Sequence, residues 1–290
     1  VRFRVRPCNV GKEVSAPEEV IMRGPAEETD GRPERAPASG AGANGITFAE
    51  TLRRAPALAE GFLALMSEVP YDNAGIPMSE MFFLLCGMGD QPPARILESG
   101  RGGGQSTQVL GHRFRQSAVI SVEENDRTPQ ARAAVKRLAH LGNVDCRFGD
   151  SRRLLPELLQ PGDVVLIDGP KEFRALKLAF QLLQTGKPRV VFIHDLHVDS
   201  PARRFLDAHL PQAFYSDDAE FVSRYSHLDM MNGLQPKAHW VKEGGRGYGP
   251  TLACVPGDAA GVNYQRLLRQ LGFARVISHA GDKLRSLFGN

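Results

Sequence analysis

Cysteine is scarce in this chain. Four cysteines are scattered over 290 residues (Cys8, Cys86, Cys146, Cys254), with no C-x-x-C pair. Neither a disulfide framework nor a structural zinc site is expected from such spacing. No secretory leader is visible either, and the two features together point to a reducing, cytoplasmic setting. No apolar run approaches the ~18 residues that read as a bilayer-spanning helix, so no membrane span is expected. Charge of one sign is also missing: 36 Lys and Arg are interspersed with 33 Asp and Glu, for a formal net charge of +3. A nucleic-acid surface wants a basic stripe with interleaved aromatics. The nearest candidate, Arg266, Arg269, Arg275, Lys283 and Arg285, reads as a solvated helix face. No internal repeat is present.

What remains is a chain that is 42% hydrophobic, ample for a core. Residues 1–45 are rich in Pro, Gly, Glu, Arg and Ala without a sustained period, and read as a disordered lead-in. Residues 46–92 read as a helical cover. Phe48, Leu52, Leu58, Phe62, Leu63 and Met66 recur near helical spacing with a break at Pro56, and a second helix is expected over Ser79–Cys86. The stretch Tyr71–Met78 is a candidate lid.

Residues 93–258 alternate strand and helix. Strands are expected at Arg95–Glu98, Ala118–Val122, Val144–Phe148, Asp163–Asp168 and Arg189–Ile193. Thr128-Pro129 opens one of the intervening helices with a cap residue and a proline at the first position. The fourth and fifth strands are continuous apolar runs, as in a parallel sheet covered on both faces. The pattern predicts a doubly wound, Rossmann-like α/β sheet. The last two strands are expected at Glu220–Ser226 and Pro250–Val255, with a glycine-rich loop, 242–249, between them. Residues 259–290 make a C-terminal helix over Gln265–Phe273 and a tail.

The first strand runs into a turn with glycine at every second position, Glu98-x-Gly100-x-Gly102-x-Gly104. Glycine lets backbone turn tightly and approach a ligand closely. A dinucleotide fingerprint, G-x-G-x-x-G, does not fit, because Gln105 stands where its third glycine belongs. An acid beside the glycines suits a ligand carrying an ammonium group better than one carrying phosphates. The helix beginning near Gln105–Thr107 aims its free N–H groups at the same place. In an open parallel sheet ligands bind beyond the carboxyl ends of the strands. Glu98, Glu123, Asp150, Asp168 and Asp195 stand at those ends.

This glycine motif resembles that of the class I S-adenosylmethionine-dependent methyltransferases. The resemblance implies S-adenosylmethionine as cofactor, held by Glu98, Gly100, Gly102, Gly104, Gln105 and Ser106. Glu123 is implied on the ribose diol, with Glu124 as the alternative one register away. Asp150 and Ser151 are implied near the adenine, Asp150 also capping a helix, and Asp168 completes the set.

Two further motifs, Leu166-Ile-Asp-Gly-Pro-Lys171 and Phe192-Ile-His-Asp-Leu-His197, narrow the resemblance. They resemble bacterial methyltransferases with Asp-Gly after strand four and His-Asp after strand five, related to the catechol and caffeoyl-CoA O-methyltransferases. By that resemblance Asp168 and Asp195 bind a divalent metal (Mg²⁺, Mn²⁺ or Fe²⁺) and Lys171 is the general base. The asparagine expected next is Leu196, so His194 or His197 has to substitute as third ligand, or no metal binds. His194 is a rival general base.

The expected activity is O-methylation of a small-molecule or sugar hydroxyl, with or without a metal. The expected partner is that hydroxyl acceptor, with no nucleic acid and no membrane, and a homo-oligomer is left open. A nicotinamide-dependent oxidoreductase, an iron hydroxylase and a cofactor-binding module without catalysis are the alternatives, and Leu196 favours the last.

Overall fold

The computed structural model describes residues 45–69, 75–233, 251–259 and 261–288. The expected lead-in, the first part of the candidate lid and the 242–249 loop lie outside the described residues. Seven strands form one sheet: β1 (Arg95–Ser99), β2 (Ala118–Glu123), β3 (Val144–Phe148), β4 (Val164–Ile167), β5 (Val190–Ile193), β6 (Phe214–Tyr215) and β7 (Ala253–Pro256). Their spatial order is β3-β2-β1-β4-β5-β7-β6. All neighbours are parallel except β7, which runs antiparallel to both β5 and β6. The order reverses at β1 and β4, so the crevice of this doubly wound sheet opens where their carboxyl ends diverge.

The apolar runs behave as expected of central parallel strands. Every residue of β4 and β5 is buried, and alternate side chains enter different cores. Val164, Leu166, Val190 and Phe192 pack with helices α1 (Phe48–Glu68), α2 (Met78–Gly87) and α3 (Gln105–Arg113). Val165, Ile167, Val191 and Ile193 pack with α5 (Ser151–Leu158), α6 (Phe173–Leu183), α7 (Pro201–His209) and α9 (Tyr264–Phe288). Helix α4 (Pro129–Leu138) starts as its sequence predicts, with Thr128 Oγ1 accepting the Ala131 N–H at 3.1 Å. Among the described residues, no helix is long and apolar enough to cross a membrane.

Three expectations need correction. Helix α1 is not broken at Pro56. The proline is on the exposed side, while Leu52, Ala55, Phe62 and Met66 bury the opposite face and hold the helix through the missing hydrogen bond. The segment Glu220–Ser226 is not a strand, because Asp218 caps a helix there, α8 (Ala219–Tyr225), accepting the Glu220 N–H at 3.0 Å. The edge strand is the two-residue β6 instead. Helix α9 also runs well past Phe273.

Helix α2 is buried on every side, as an all-round apolar helix must be. Asp229, in a 3-10 segment (Ser226–Gly233), holds its first turn, accepting from the Ser79 N–H at 2.8 Å and the Ser79 hydroxyl at 2.6 Å.

The β1 and β4 tips meet at Gly100. Its φ is +84°, and a Cβ there would lie 2.5 Å from Gly169 N and 2.8 Å from Asp168 C. Gly162 has the same φ of +84° but open space around it. Gly162→Ala should therefore cost only the left-handed backbone penalty, ~1–2 kcal/mol. Gly100→Ala should cost visibly more in the same urea titration, and equal losses would contradict the close approach.

Candidate active site

At the β1 tip the structure corrects one assignment. Glu98 is fully buried, and its carboxylate accepts hydrogen bonds from the Ser106, Thr107 and Ser121 hydroxyls. Burial raises its pKa against those three donors. A carboxylate with this many internal partners ties the start of α3 to β1 and β2, and does not reach a ligand's ammonium group. The Ser106 hydroxyl is spent on the same task. Gln105 is buried as well, with its amide beneath Gly75 of the segment leading into α2.

Gly100, Gly102 and Gly104 all have positive φ; Gly100 is closed in by the β4 tip and Gly104 by α4, while Gly102 and Gly103 meet only the end of the Gln130 side chain. Glu123, at the β2 tip, accepts the Gly102 N–H at 2.8 Å and the Glu124 N–H at 3.0 Å. A carboxylate offers about four acceptor sites, so Glu123 keeps capacity for a diol. Asp150 stands at the β3 tip but is engaged. It caps α5 through the Arg152 N–H at 2.9 Å and pairs with the Arg152 guanidinium at 2.7 Å. Its pKa is lowered, chiefly by the Arg152 hydrogen bond. Of its two expected roles the structure displays the cap. The Ser151 hydroxyl donates to Gly169 O at 3.3 Å, across to the β4 tip.

Sequence reasoning missed Arg101. It is buried inside the glycine turn, donates to Ser121 O at 2.7 Å, and lies 4.7 Å over the Phe148 ring. It braces the turn against β2 and β3 from below.

The β4 and β5 tips carry the densest charge. Lys171 Nζ lies 2.5 Å from both Asp168 Oδ1 and Asp195 Oδ2. His194 Nδ1 lies 2.6 Å from Asp168 Oδ1 and 3.5 Å from Asp195 Oδ1. Its other nitrogen, Nε2, is 3.0 Å from Glu80 Oε2. Glu80 belongs to α2, is buried, and was not anticipated; its second oxygen accepts from the Ser216 hydroxyl at 3.3 Å. An acid inside Met78-Ser-Glu-Met-Phe-Phe-Leu-Leu85 is the signal that could have found it. Asp195 has φ +61°, a conformation Asp tolerates better than most residues.

These contacts set the protonation states. Burial pulls the His194 pKa down, but the Asp168 and Glu80 carboxylates outweigh it and hold it at about 10. Burial pushes Asp168 up, and His194 and Lys171 outweigh that to bring it to about 2. Burial likewise lowers Lys171, yet Asp168 and Asp195 keep it above its ordinary value. Glu80 is raised to about 7, with burial outweighing the pull of His194. Both expected general bases, His194 and Lys171, are thus held protonated in this state.

A metal fits this arrangement poorly. One donor atom each from Asp168, His194 and Asp195 falls within a 4.8 Å span, which a cation could bridge. Yet both His194 nitrogens lie within hydrogen-bond distance of carboxylates, Asp168 and Glu80, and the Lys171 ammonium already bridges the two aspartates. His197 is exposed and outside this group, correcting its assignment as a ligand. Leu196 is fully buried in the α6–α7 core and offers no oxygen.

The glycine turn, the strands from β2 to β5 and the charged β4 and β5 tips all lie within one matching segment. Residues 97–196 match the family model described as a methyltransferase domain. That segment is similar to a methyltransferase domain. No curated protein sequence matches the chain. Similar solved structures include a cofactor-bound protein from MTB, Rv0187, at 23% identity over 70% of this chain and 90% of that one, TM-score 0.40. Others are an O-methyltransferase from Bacillus cereus in complex with SAH (18% identity, 73% and 98% covered, TM-score 0.39) and the O-methyltransferase TomG from Streptomyces achromogenes in complex with SAM (18%, 73% and 96%, TM-score 0.37).

His194 gives a clear pH signature. A raised pKa means that the stability from the His194 pairings is complete below its ordinary value of 6.5 and is lost as pH rises through about 10. Nitrogen-detected NMR should find both ring nitrogens of His194 protonated at neutral pH. Glu80→Gln should lower the titration midpoint by removing one of the two carboxylates. A ring already neutral at pH 7 in the unaltered protein would contradict the assignment.

Proposed function

We propose that this chain transfers the methyl group of S-adenosylmethionine to a hydroxyl oxygen of a small molecule. The observation that carries the reading is the Asp168–Lys171–Asp195 cluster, at the β4 and β5 tips on the same sheet edge as the glycine turn. The residues present fit the cofactor: a glycine turn approachable at Gly102 and Gly103, with Glu123 accepting the Gly102 N–H and retaining acceptor capacity. Glu123 would hold the ribose diol and the 100–104 turn the rest of the nucleoside, with Ser151 and Asp168 beside it.

When bound, S-adenosylmethionine supplies a methyl group on a sulfonium, already activated for attack. The chain's own task is to align the acceptor and remove one proton. Lys171, with its side chain 45% exposed, can donate a hydrogen bond to the acceptor oxygen and stabilise negative charge growing there. Asp195, with its side chain 31% exposed, is the carboxylate placed to take the hydroxyl proton. His194, held as an imidazolium, fixes Asp168 in its ionised form and does not move a proton itself. Hydroxyl acceptors suit this set better than amines, because an ammonium beside the nucleophile stabilises an oxyanion and repels a protonated amine.

Two measurements test this. Calorimetric titration of S-adenosylmethionine should show binding that weakens about tenfold or more in Glu123→Ala, as expected for hydrogen bonds to a charged group worth ~1.5–3 kcal/mol. Asp195→Asn should keep cofactor affinity and lower kcat on a phenolic acceptor by roughly 10²-fold or more, the range for a lost general base. No cofactor binding by the unaltered protein would overturn the reading.

A further inference from the structure

We propose that Lys171 is the resident cation of this site, so that the Asp168–Asp195 pair works without a divalent metal. The inference rests on the site assigned above, and it concerns how that site neutralises itself. Two carboxylates at the tips of neighbouring parallel strands need a cation between them. A single ammonium nitrogen, 2.5 Å from an oxygen of each, is that cation. The two contacts come from different loops, Asp168 and Lys171 from the one after β4 and Asp195, at φ +61°, from the one after β5.

The surroundings remove what a metal would need. The side chain after Asp195 is Leu196, buried in the core. The only nitrogen ligand in the cluster, His194, has Nδ1 on Asp168 and Nε2 on Glu80. A divalent ion between the aspartates would therefore have to displace the Lys171 ammonium and break a His194 hydrogen bond to Asp168 or Glu80. Hard cations bind through oxygen ligands, and here the Lys171 ammonium already occupies the position between the two carboxylates.

This changes how the acceptor is held. An ammonium has three donors. Two are used on the aspartates, which leaves one for the acceptor. A metal can chelate two neighbouring oxygens, whereas one N–H holds a single oxygen. The site is therefore suited to an acceptor presenting one acidic hydroxyl, such as a phenol or enol, and does not require a vicinal diol.

The test uses Mn²⁺ alone, read by electron paramagnetic resonance and calorimetry, on the full chain without acceptor. The unaltered protein should show no saturable Mn²⁺ binding. Lys171→Met should bind a single ion at least about tenfold more tightly, a gain of ~1.4 kcal/mol or more, and adding Asp195→Asn should abolish it. Circular dichroism melts establish that each variant is folded. Tight Mn²⁺ binding by the unaltered protein would overturn the proposal, as would a folded Lys171→Met that binds none. S-adenosylmethionine titration in EDTA on the same samples reports separately on the methyltransferase reading, so failure of one is distinguishable from failure of the other.

Discussion

Two carboxylates held side by side at the ends of adjacent parallel strands are the constraint on which the site depends. The β4–β5 register pairs Ile167 with Ile193, so the next residues, Asp168 and His194-Asp195, must emerge together. Left alone, such a pair could not stay ionised on both sides without cost. The structure meets this with Lys171 from the β4 loop and His194 from the β5 loop, two cations interleaved with the two acids. Asp168, with its pKa at about 2, records how strongly the arrangement favours charge separation.

The cluster then reaches into the helical cover. His194 Nε2 donates to Glu80, 114 residues earlier in the chain and inside the wholly buried helix α2. Asp229 in turn holds the first turn of α2. The cover is thus hydrogen-bonded to the catalytic edge as well as packed on the sheet. A buried carboxyl such as Glu80 is tolerated only because its oxygens find donors, His194 and Ser216. Removing the histidine would leave that acid stranded, which gives Glu80 a positioning role, through His194, on Asp168.

Much of this was legible in the sequence, and the reasons are local. The apolar runs of β4 and β5, the Thr128 and Asp150 caps and the glycine turn are each readable within a few residues. So were the acids at the strand tips. What escaped depends on distance along the chain. Glu98 reads as a ligand contact because its three hydroxyl partners come from α3 and β2, and only the fold puts them around it. Glu80 and Arg101 escaped for the same reason, since their partners lie far away in sequence. The error at 220–226 is of another kind. Phe221 and Tyr225 are spaced for a helix face, but the segment is short, and a seven-residue helix offers too few turns for its period to stand out.

Leu196 is where sequence and structure pull apart most usefully. Read alone, an apolar residue at a ligand position suggests a pocket that has lost its chemistry. In the fold, Leu196 belongs to the core, with its backbone N–H donating to Thr251 O at 3.0 Å, so it secures the β5 tip to the chain entering β7. Losing an oxygen there removes a metal ligand, but methyl transfer from a sulfonium requires an oriented oxygen and a proton acceptor rather than a metal as such. Lys171 retains one donor and Asp195 remains partly exposed beside it. On the reading proposed above, a site that supplies its own cation would give up chelation and keep the electrostatic stabilisation of the acceptor oxygen.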